Sequence, residues 1–267
     1  MSRPIDLRVV AAIATIGAAA IASAAWQDDT GSLGAGPFPP PPELSARYVF
    51  GWSGIEAAAA DVRLRPRGDG TWECAVDGGT SGLARKLWKL DATYRATVTG
   101  DGWVPLESRL AENYRRYRIE EVFEYRPGGV RSRRENTKPG ADPPRWREHA
   151  APGLRDMSAA LLLARSQPLR DGDEFSLAVF PGEDMYLVRV KVVGREKLSW
   201  RGEERDTVRL SLRIDAIKKD GTTEPHRKFQ RGSVWVSDDA VRLPLRVEVK
   251  VFIGHVFAEL VSLDSGP

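Results

Sequence analysis

The feature that most constrains the fold is an alternation of apolar and polar side chains with a period of two, which begins at Leu44 and returns along most of the chain. The apolar positions of these runs are Leu44, Ala46, Tyr48, Phe50 and Trp52; Val62 and Leu64; Trp72, Cys74 and Val76; Ala92, Tyr94, Ala96 and Val98; Tyr117, Ile119, Phe123 and Tyr125; Phe175, Leu177 and Val179; Tyr186, Val188, Val190 and Val192; Val208, Leu210, Leu212, Ile214 and Ala216; and Leu245, Val247, Val249, Val251 and Ile253. Successive side chains of a strand point to opposite faces, so this pattern predicts strands with one buried face and one face in water.

Turn sequences that contain glycine separate these runs, as at Arg67–Gly70, Pro127–Gly129 and Lys219–Gly221. Glycine tolerates the positive φ that tight hairpins require, so hairpins are the simplest connections. We therefore predict an all-β, mainly antiparallel domain, built as a single curved sheet, roll or barrel that closes to cover its apolar face.

Two segments depart from the alternation and predict short helices that cap an end of this sheet. The first follows Ser81-Gly82 and places on one face Leu83, Leu87 and Leu90. The second has Asp156 or Ser158 as its N-cap and places on its apolar face Met157, Leu161 and Ala164.

Residues 1–25 have the pattern of a secretory signal peptide. Arg3 and Arg8 precede an apolar stretch that ends in small residues near Ala24 and Ala25, where we expect cleavage and release into the periplasm. The alternative is an uncleaved anchor in the inner membrane with the domain facing the periplasm, because the stretch is almost long enough to span a bilayer. No cysteine near the cleavage point offers a lipid acceptor.

Residues 26–43 are predicted to be a linker, since glycines make the first half flexible and prolines stiffen the second, with almost nothing to bury. Residues 44–267 then form a single β-rich domain. Within it, the proline-containing stretch Asn136–Pro152 is a candidate for a long loop between two β halves.

The charge balance argues against a nucleic-acid partner, because 40 Lys and Arg residues against 37 Asp and Glu residues give a net charge of only +3. The single cysteine, Cys74, excludes an intramolecular disulfide, and its place in an alternating run predicts a buried, unreactive thiol.

No catalytic or metal-binding motif is evident. The three histidines are scattered and no serine motif accompanies them, which disfavours a hydrolase triad and zinc. Asp171–Glu174 and Asp238-Asp239 have too few ligands for a calcium loop and suit ordinary turns. No glycine-rich phosphate loop precedes a helix. We predict no cofactor, no metal and no catalytic residue.

Two surface features remain. Arginines are concentrated between Arg109 and Arg147, but glutamates interleave with them, so a solvated hairpin with cross-strand ion pairs is the simpler interpretation than a site for anionic headgroups or polysaccharide. Seven tryptophans between Trp52 and Trp235 suit core packing in a curved sheet, or alternatively a cavity for a lipid or sugar.

A series of short motifs resembles one known family. The motifs are Phe50–Ile55, Ser81–Leu83, Asp156–Leu161 with Arg165, Pro168–Gly172, Gly194–Glu196, Trp235–Asp239, Arg242–Pro244 and Gly254. Together they resemble the bacterial "domain of unknown function 3108" family over nearly all of the mature chain. The resemblance implies an exported envelope protein of a Gram-negative bacterium with a β-rich fold, and it transfers no catalytic residue.

Two functions follow as hypotheses. The first is a non-enzymatic binding or envelope-assembly factor whose curved sheet takes an apolar ligand, or contacts envelope lipid, polysaccharide or another envelope protein. Membrane contact would then come only from an uncleaved N-terminal segment or a surface patch. The alternative is an envelope glycan hydrolase with carboxylates from separate strands, for instance Glu196 with Asp238.

Overall fold

The computed structural model describes Trp26, Thr30 and residues 33–218, 220–227, 229, 231–251 and 254–265. The predicted signal peptide, residues 1–25, and Ile253 of the last alternating run lie outside the described residues. The strands are β1 (Leu44–Trp52), β2 (Ile55–Pro66), β3 (Thr71–Thr80), β4 (Leu90–Thr99), β5 (Pro105–Tyr114), β6 (Arg118–Arg126), β7 (Gly129–Asn136), β8 (Trp146–Ala150), β9 (Glu174–Val179), β10 (Tyr186–Trp200), β11 (Glu203–Ile217), β12 (Thr223–Pro225), β13 (Arg231–Ser237), β14 (Pro244–Lys250) and β15 (His255–Ser265). Two helices are described, α1 (Gly82–Leu87) and α2 (Met157–Ser166).

All of these strands join one antiparallel sheet, which confirms the predicted fold class. The order runs from β8 back to β1, continues with β15, and then returns through β14, β13, β11 and β10 to β9, while β12 pairs with β11 alone. The first and last strands are therefore neighbours in the middle of the sheet, and β8 and β9 form its two edges.

The sheet closes into a roll because its two ends overlap. Phe123 on β6 and Val130 on β7 face inward, and they pack with Ala178 and Leu187, which lie on the outward face of β9 and β10. The segment that follows β8 also covers the edge of β9, since the Arg155 N–H donates to the carbonyl of Ala178 at 2.9 Å. The Phe180 N–H donates in return to the carbonyl of Arg155 at 2.8 Å. The C-terminal end of the β9 edge is thus covered by backbone hydrogen bonds.

Helix α2 lies inside the roll and forms the centre of its main core. Asp156 is its N-cap and accepts a hydrogen bond from the N–H of Ala159 at 2.7 Å, as predicted. The predicted apolar face is partly wrong, however: Met157 and Ala164 pack against the core, but Leu161 is 53% exposed, whereas Leu162 and Leu163 are buried. Every residue from Ala159 to Ala164 is apolar, so the sequence offered no polar residue that would show which face turns outward.

Helix α1 forms where predicted, but it caps no core. Its Leu83 and Leu87 are 71% and 81% exposed, and the third predicted member, Leu90, is instead the first, buried residue of β4. The helix lies on the surface beside β2, joined to it by the Ser81 N–H, which donates to the carbonyl of Ala57 at 2.9 Å.

Two further expectations differ from the structure. The candidate loop Asn136–Pro152 contains the edge strand β8. The proline-containing end of the predicted linker is docked rather than free, since the Phe38 N–H donates to the carbonyl of Ser166 at 3.0 Å. The guanidinium of Arg242 lies over the Phe38 ring at 3.5 Å. This segment thus packs against the C-terminal end of α2.

The arginine-rich region is a set of four strands, β5 to β8, and several of its ion pairs are cross-strand as predicted. Arg131 pairs with Glu124 directly opposite it at 2.6 Å, and Arg134 pairs with Glu121 at 3.1 Å. Such pairs stabilise a sheet modestly and need no ligand.

Candidate ligand-binding interior

Helix α2 fills only one part of the interior of the roll. Its fully buried Ala159 and Leu163 belong to the main core. That core also contains Leu44 of β1, Trp72 of β3 and Val98 of β4. These three residues lie at the strand ends near the β2–β3 and β4–β5 turns. Beyond the helix, the interior is lined by side chains of the strands.

Beyond the helix, part of the inward face of β2 to β5 is incompletely buried. The inward-facing Val62, Val76, Ala92, Tyr94 and Leu110 are all only half-buried. They are direct neighbours across the sheet, with Val76 opposite both Val62 and Tyr94. These inward-facing side chains therefore keep accessible surface. We call the surface formed by these five residues the open interior.

Small residues explain the room in this part of the roll. Ala60, Gly78 and Ala92 lie directly opposite one another on β2, β3 and β4. A Cβ at Gly78 would lie only 2.7 Å from the Cβ of Ala60, so glycine is required for this close approach. Larger side chains at these positions would occupy the open interior.

Three carboxyl groups are buried in or beside this surface, namely Asp156, Glu112 directly opposite Ala92, and Glu121 directly opposite Leu110. Asp156 is 1% exposed, its Oδ1 caps α2, and its Oδ2 has no hydrogen-bond partner among the described residues. Burial raises the pKa of Asp156 to about 7, and the backbone N–H groups of Ala159 and Ser158 offset this only in part. The sequence identified Asp156 as a cap, but a shifted pKa depends on tertiary burial and has no local signal.

The thiol of Cys74 and the hydroxyls of Tyr94 and Tyr125, which lie nearby, stay neutral at physiological pH. Burial raises the pKa of the Cys74 thiol to about 11 and the pKa values of the Tyr94 and Tyr125 hydroxyls well above 10. A protonated thiol is a poor nucleophile. The predicted unreactive cysteine fits this environment, although the structure leaves Cys74 half-buried rather than fully buried.

Aromatic rings border the interior on the side of β4 to β6. Tyr114 stacks on Tyr117 with 4.5 Å between ring centroids and on Trp88 with 5.9 Å. The sequence predicts the tryptophans either as core residues or as the lining of a cavity. Trp72 and Trp103 are buried in the core, whereas Trp52 and Trp146 are 36% and 42% exposed.

The carboxylates considered for glycan hydrolysis are not brought together. Glu196 accepts a hydrogen bond at 2.6 Å from the indole of Trp235, which faces outward from β13. Asp238 instead pairs at 3.1 Å with Arg195, the residue that precedes Glu196 and therefore points to the other face of β10. Carboxyl groups on opposite faces of a sheet cannot flank one glycosidic bond.

Ser132 and His149 form a serine–histidine contact, with 3.0 Å between Oγ and Nε2. They lie on β7 and β8 where the roll overlaps, and the His149 ring packs on Phe180 at 4.7 Å. Ser132 is buried in this overlap, so the pair contributes to closure.

Among the described residues, no group of three His, Cys, Asp or Glu side chains is arranged to hold a metal ion. The described helices include none with the length and apolar character needed to cross a membrane.

Comparison with known families identifies the chain. The family model described as "Protein of unknown function (DUF3108)" matches residues 47–261. The chain belongs to the DUF3108 family. The family motifs recognised in the sequence are structural in this DUF3108 protein: Phe50–Ile55 forms the β1–β2 hairpin, Asp156 caps α2, and Asp239 accepts the N–H groups of Val241 and Arg242 in a turn.

A solved structure supports the fold of this DUF3108 protein. A β-barrel-like protein of the DUF1849 group from Brucella abortus is 10% identical, with a TM-score of 0.56 over 84% of this chain and 98% of that chain. The hypothetical lipoprotein YmcC of Escherichia coli is also 10% identical, over 91% of this chain and 90% of that chain, but its TM-score is only 0.32. An exported protein with a YmcC-like fold from Bacteroides fragilis has a TM-score of 0.38, again at 10% identity, over 86% of this chain and 100% of that chain. A comparison with curated proteins found no match.

Proposed function

We propose that this protein is a non-enzymatic binding factor of the bacterial envelope that holds an apolar ligand, such as an acyl chain, in the open interior. The observation that carries the proposal is the set of inward-facing, half-buried apolar side chains that α2 leaves uncovered. Ligand pockets are largely apolar with a small number of polar groups, and the open interior is mainly apolar, with the buried Glu112 and Glu121 on the same face.

The envelope location rests on the N-terminal sequence. Residues 1–25 have the order of charges, apolar residues and small residues that an exported protein needs. Fractionation of the native host, followed by mass spectrometry of the mature N-terminus, tests this part. A new N-terminus near residue 25 in the periplasmic fraction supports release, an intact one in the membrane fraction supports the anchored form, and recovery from the cytoplasm contradicts export.

Ligand binding is tested by filling the interior. Ala92→Phe places a ring in the open interior, whereas Thr93→Phe places the same ring on the outward face of the same strand. We expect purified wild-type protein and Thr93→Phe to bind a fluorescent fatty acid with equal affinity, and Ala92→Phe to bind it at least tenfold more weakly. Circular dichroism and urea unfolding of both variants show that each is folded.

Two results would count against the proposal. One is equal binding by Ala92→Phe and the wild type, which would place the probe elsewhere. The other is an absence of bound lipid, by native mass spectrometry, in protein purified from its own envelope, combined with no uptake of the probe.

A further inference from the structure

The outer face of the roll carries a polar groove that is separate from the open interior. It has a volume of about 610 Å³ and lies across β9, β10, β11 and β13. Four of its lining residues carry a positive charge, namely Arg189, Lys191, Arg213 and Arg231, against the single carboxylate of Glu174.

Three of these arginines are direct cross-strand neighbours. Arg189 on β10 lies opposite Arg213 on β11, and Arg213 lies opposite Arg231 on β13. Like charges directly opposite each other destabilise a sheet, because opposed Cβ atoms are only about 5 Å apart.

The buried carboxylate of Asp215 balances part of this charge. It is 1% exposed, it pairs with Arg189, and it pairs with Arg213 at 3.1 Å. These two guanidinium groups are therefore held in place at the point where the overlap of the roll ends and the groove begins. Arg231 is exposed at the far side, with Arg213 as its cross-strand neighbour.

Two serines and a lysine complete the polar lining of the groove. Ser176 lies opposite Arg189, and Ser211 lies opposite Lys191, so each serine is next to a cation across the sheet. Lys191 itself pairs with Glu174 at the edge of the groove. The arginine and lysine side chains offer only donors and positive charge, and the serine hydroxyls can also donate, which is the recognition chemistry of phosphate oxygens.

We propose that this groove is a binding site for a phosphate-bearing ligand, either a small soluble phosphate compound or the headgroup of an anionic phospholipid. Arg189 and Arg213 are fixed by Asp215 and orient the ligand, while Arg231 and Lys191 close on it from either side. The site is independent of the open interior and does not depend on an apolar ligand there.

The test uses two probes, inorganic pyrophosphate by calorimetry and vesicles of phosphatidylglycerol in phosphatidylcholine by co-sedimentation. Arg231→Gln removes one charged donor. It should weaken about tenfold the binding of whichever of the two probes the wild-type protein binds. Glu174→Gln removes the carboxylate that competes with the ligand for Lys191, and it should strengthen binding of the same probe. Arg189 and Arg213 are left intact, because their loss would leave the buried Asp215 without its partners.

Matched controls come from an exposed ion pair elsewhere in the sheet, Arg47 with Asp61 on β1 and β2. Arg47→Gln and Asp61→Asn make the same changes in net charge and should leave both affinities unchanged. The unfolding free energy of Arg231→Gln should not fall, since the substitution removes a like charge opposite Arg213.

Binding of pyrophosphate alone identifies a soluble phosphate ligand, and binding of phosphatidylglycerol vesicles without pyrophosphate binding identifies a lipid headgroup. In both cases the proposal also requires the opposite effects of Arg231→Gln and Glu174→Gln. It is overturned if neither probe binds, or if Arg231→Gln binds as Arg47→Gln does.

Discussion

The hydroxyl of Tyr125 on β6 donates a hydrogen bond to the backbone carbonyl of Phe180, just after β9, at 3.1 Å. This bond joins the two ends of the sheet where they overlap. The Phe123 and Phe180 rings meet edge to face beside it, with 5.8 Å between centroids. Closure of the roll thus depends on side chains as well as on the backbone bonds of Arg155.

The overlap should contribute strongly to stability. Phe180 is fully buried, so Phe180→Ala should lower the free energy of unfolding by about 3–5 kcal/mol, and Tyr125→Phe should lower it by about 1 kcal/mol. Leu106→Ala is the control, because Leu106 is 42% exposed and should change stability by about 0.5 kcal/mol or less. Urea unfolding measures all three. A Phe180→Ala variant as stable as the control would mean that the overlap does not hold the roll closed.

Stability should depend on pH through Asp156. Its pKa is about 7 in the folded protein and near 3.9 in an unfolded chain, so the folded state binds the proton more tightly. The protonated carboxyl group of Asp156 therefore contributes fully to the free energy of unfolding below about pH 4. This contribution is lost as the pH rises towards 7, above which the free energy stays constant, and the total loss is roughly 4 kcal/mol.

The variant Asp156→Asn tests this, since asparagine also caps a helix but does not titrate. We expect the variant to gain stability relative to the wild type between about pH 4 and pH 7 in urea unfolding. A difference between the two proteins that stays the same over this range would contradict the raised pKa.

Arg242 should anchor the C-terminal end of α2. Its guanidinium donates hydrogen bonds to the carbonyls of Arg165 at 3.2 Å and Pro168 at 3.0 Å, and also to that of Gln167, while its side chain is almost fully buried. Arg242→Ala leaves these helix-end carbonyls without a donor and should cost about 3 kcal/mol of unfolding free energy. Arg170→Ala, at an exposed position in the next turn, should be nearly neutral. Equal thermal denaturation of the two variants would contradict the anchoring role.

The Cys74 thiol should report on occupancy of the interior. With a pKa of about 11, its thiolate fraction at pH 8 is about a hundredfold lower than that of an ordinary thiol, so alkylation of the folded protein by iodoacetamide should be slow and should accelerate up to pH 11. Urea-unfolded protein should react at the ordinary rate. A bound fatty acid should slow the reaction further; reaction of the folded protein at the unfolded rate would show an exposed, ordinary thiol.

The strands were predictable because their signal is local. Val188, Val190 and Val192 alternate with polar residues and face inward on β10, as expected. Strands β7 and β8 are less evident in sequence, because Ser132 and Arg134 on β7 and Arg147 on β8 occupy inward positions and interrupt the apolar pattern. Those strands form because they pair with neighbouring strands, and this pairing cannot be read from a single sequence.

The candidate sites were largely beyond prediction for a related reason. The alternation places Val76 and Leu110 on one face but does not say whether a helix covers them. Whether α2 covers them depends on how its apolar run from Ala159 to Ala164 is rotated. The arginines of the outer groove are 18 to 24 residues apart in sequence, and only the pairing register of β10, β11 and β13 brings Arg189, Arg213 and Arg231 side by side.

The pairing of β1 with β15 has a consequence for the order of folding. During synthesis, β1 and β14 each lack the neighbour that will finally separate them, because β15 is made last. The hairpins on either side can form early, but the roll is complete only when residues from His255 onward are free to insert between them. A nascent chain of this protein therefore stays divided into two unfinished sheets until β15 has been synthesised, and a deletion of β15 should leave them permanently unjoined.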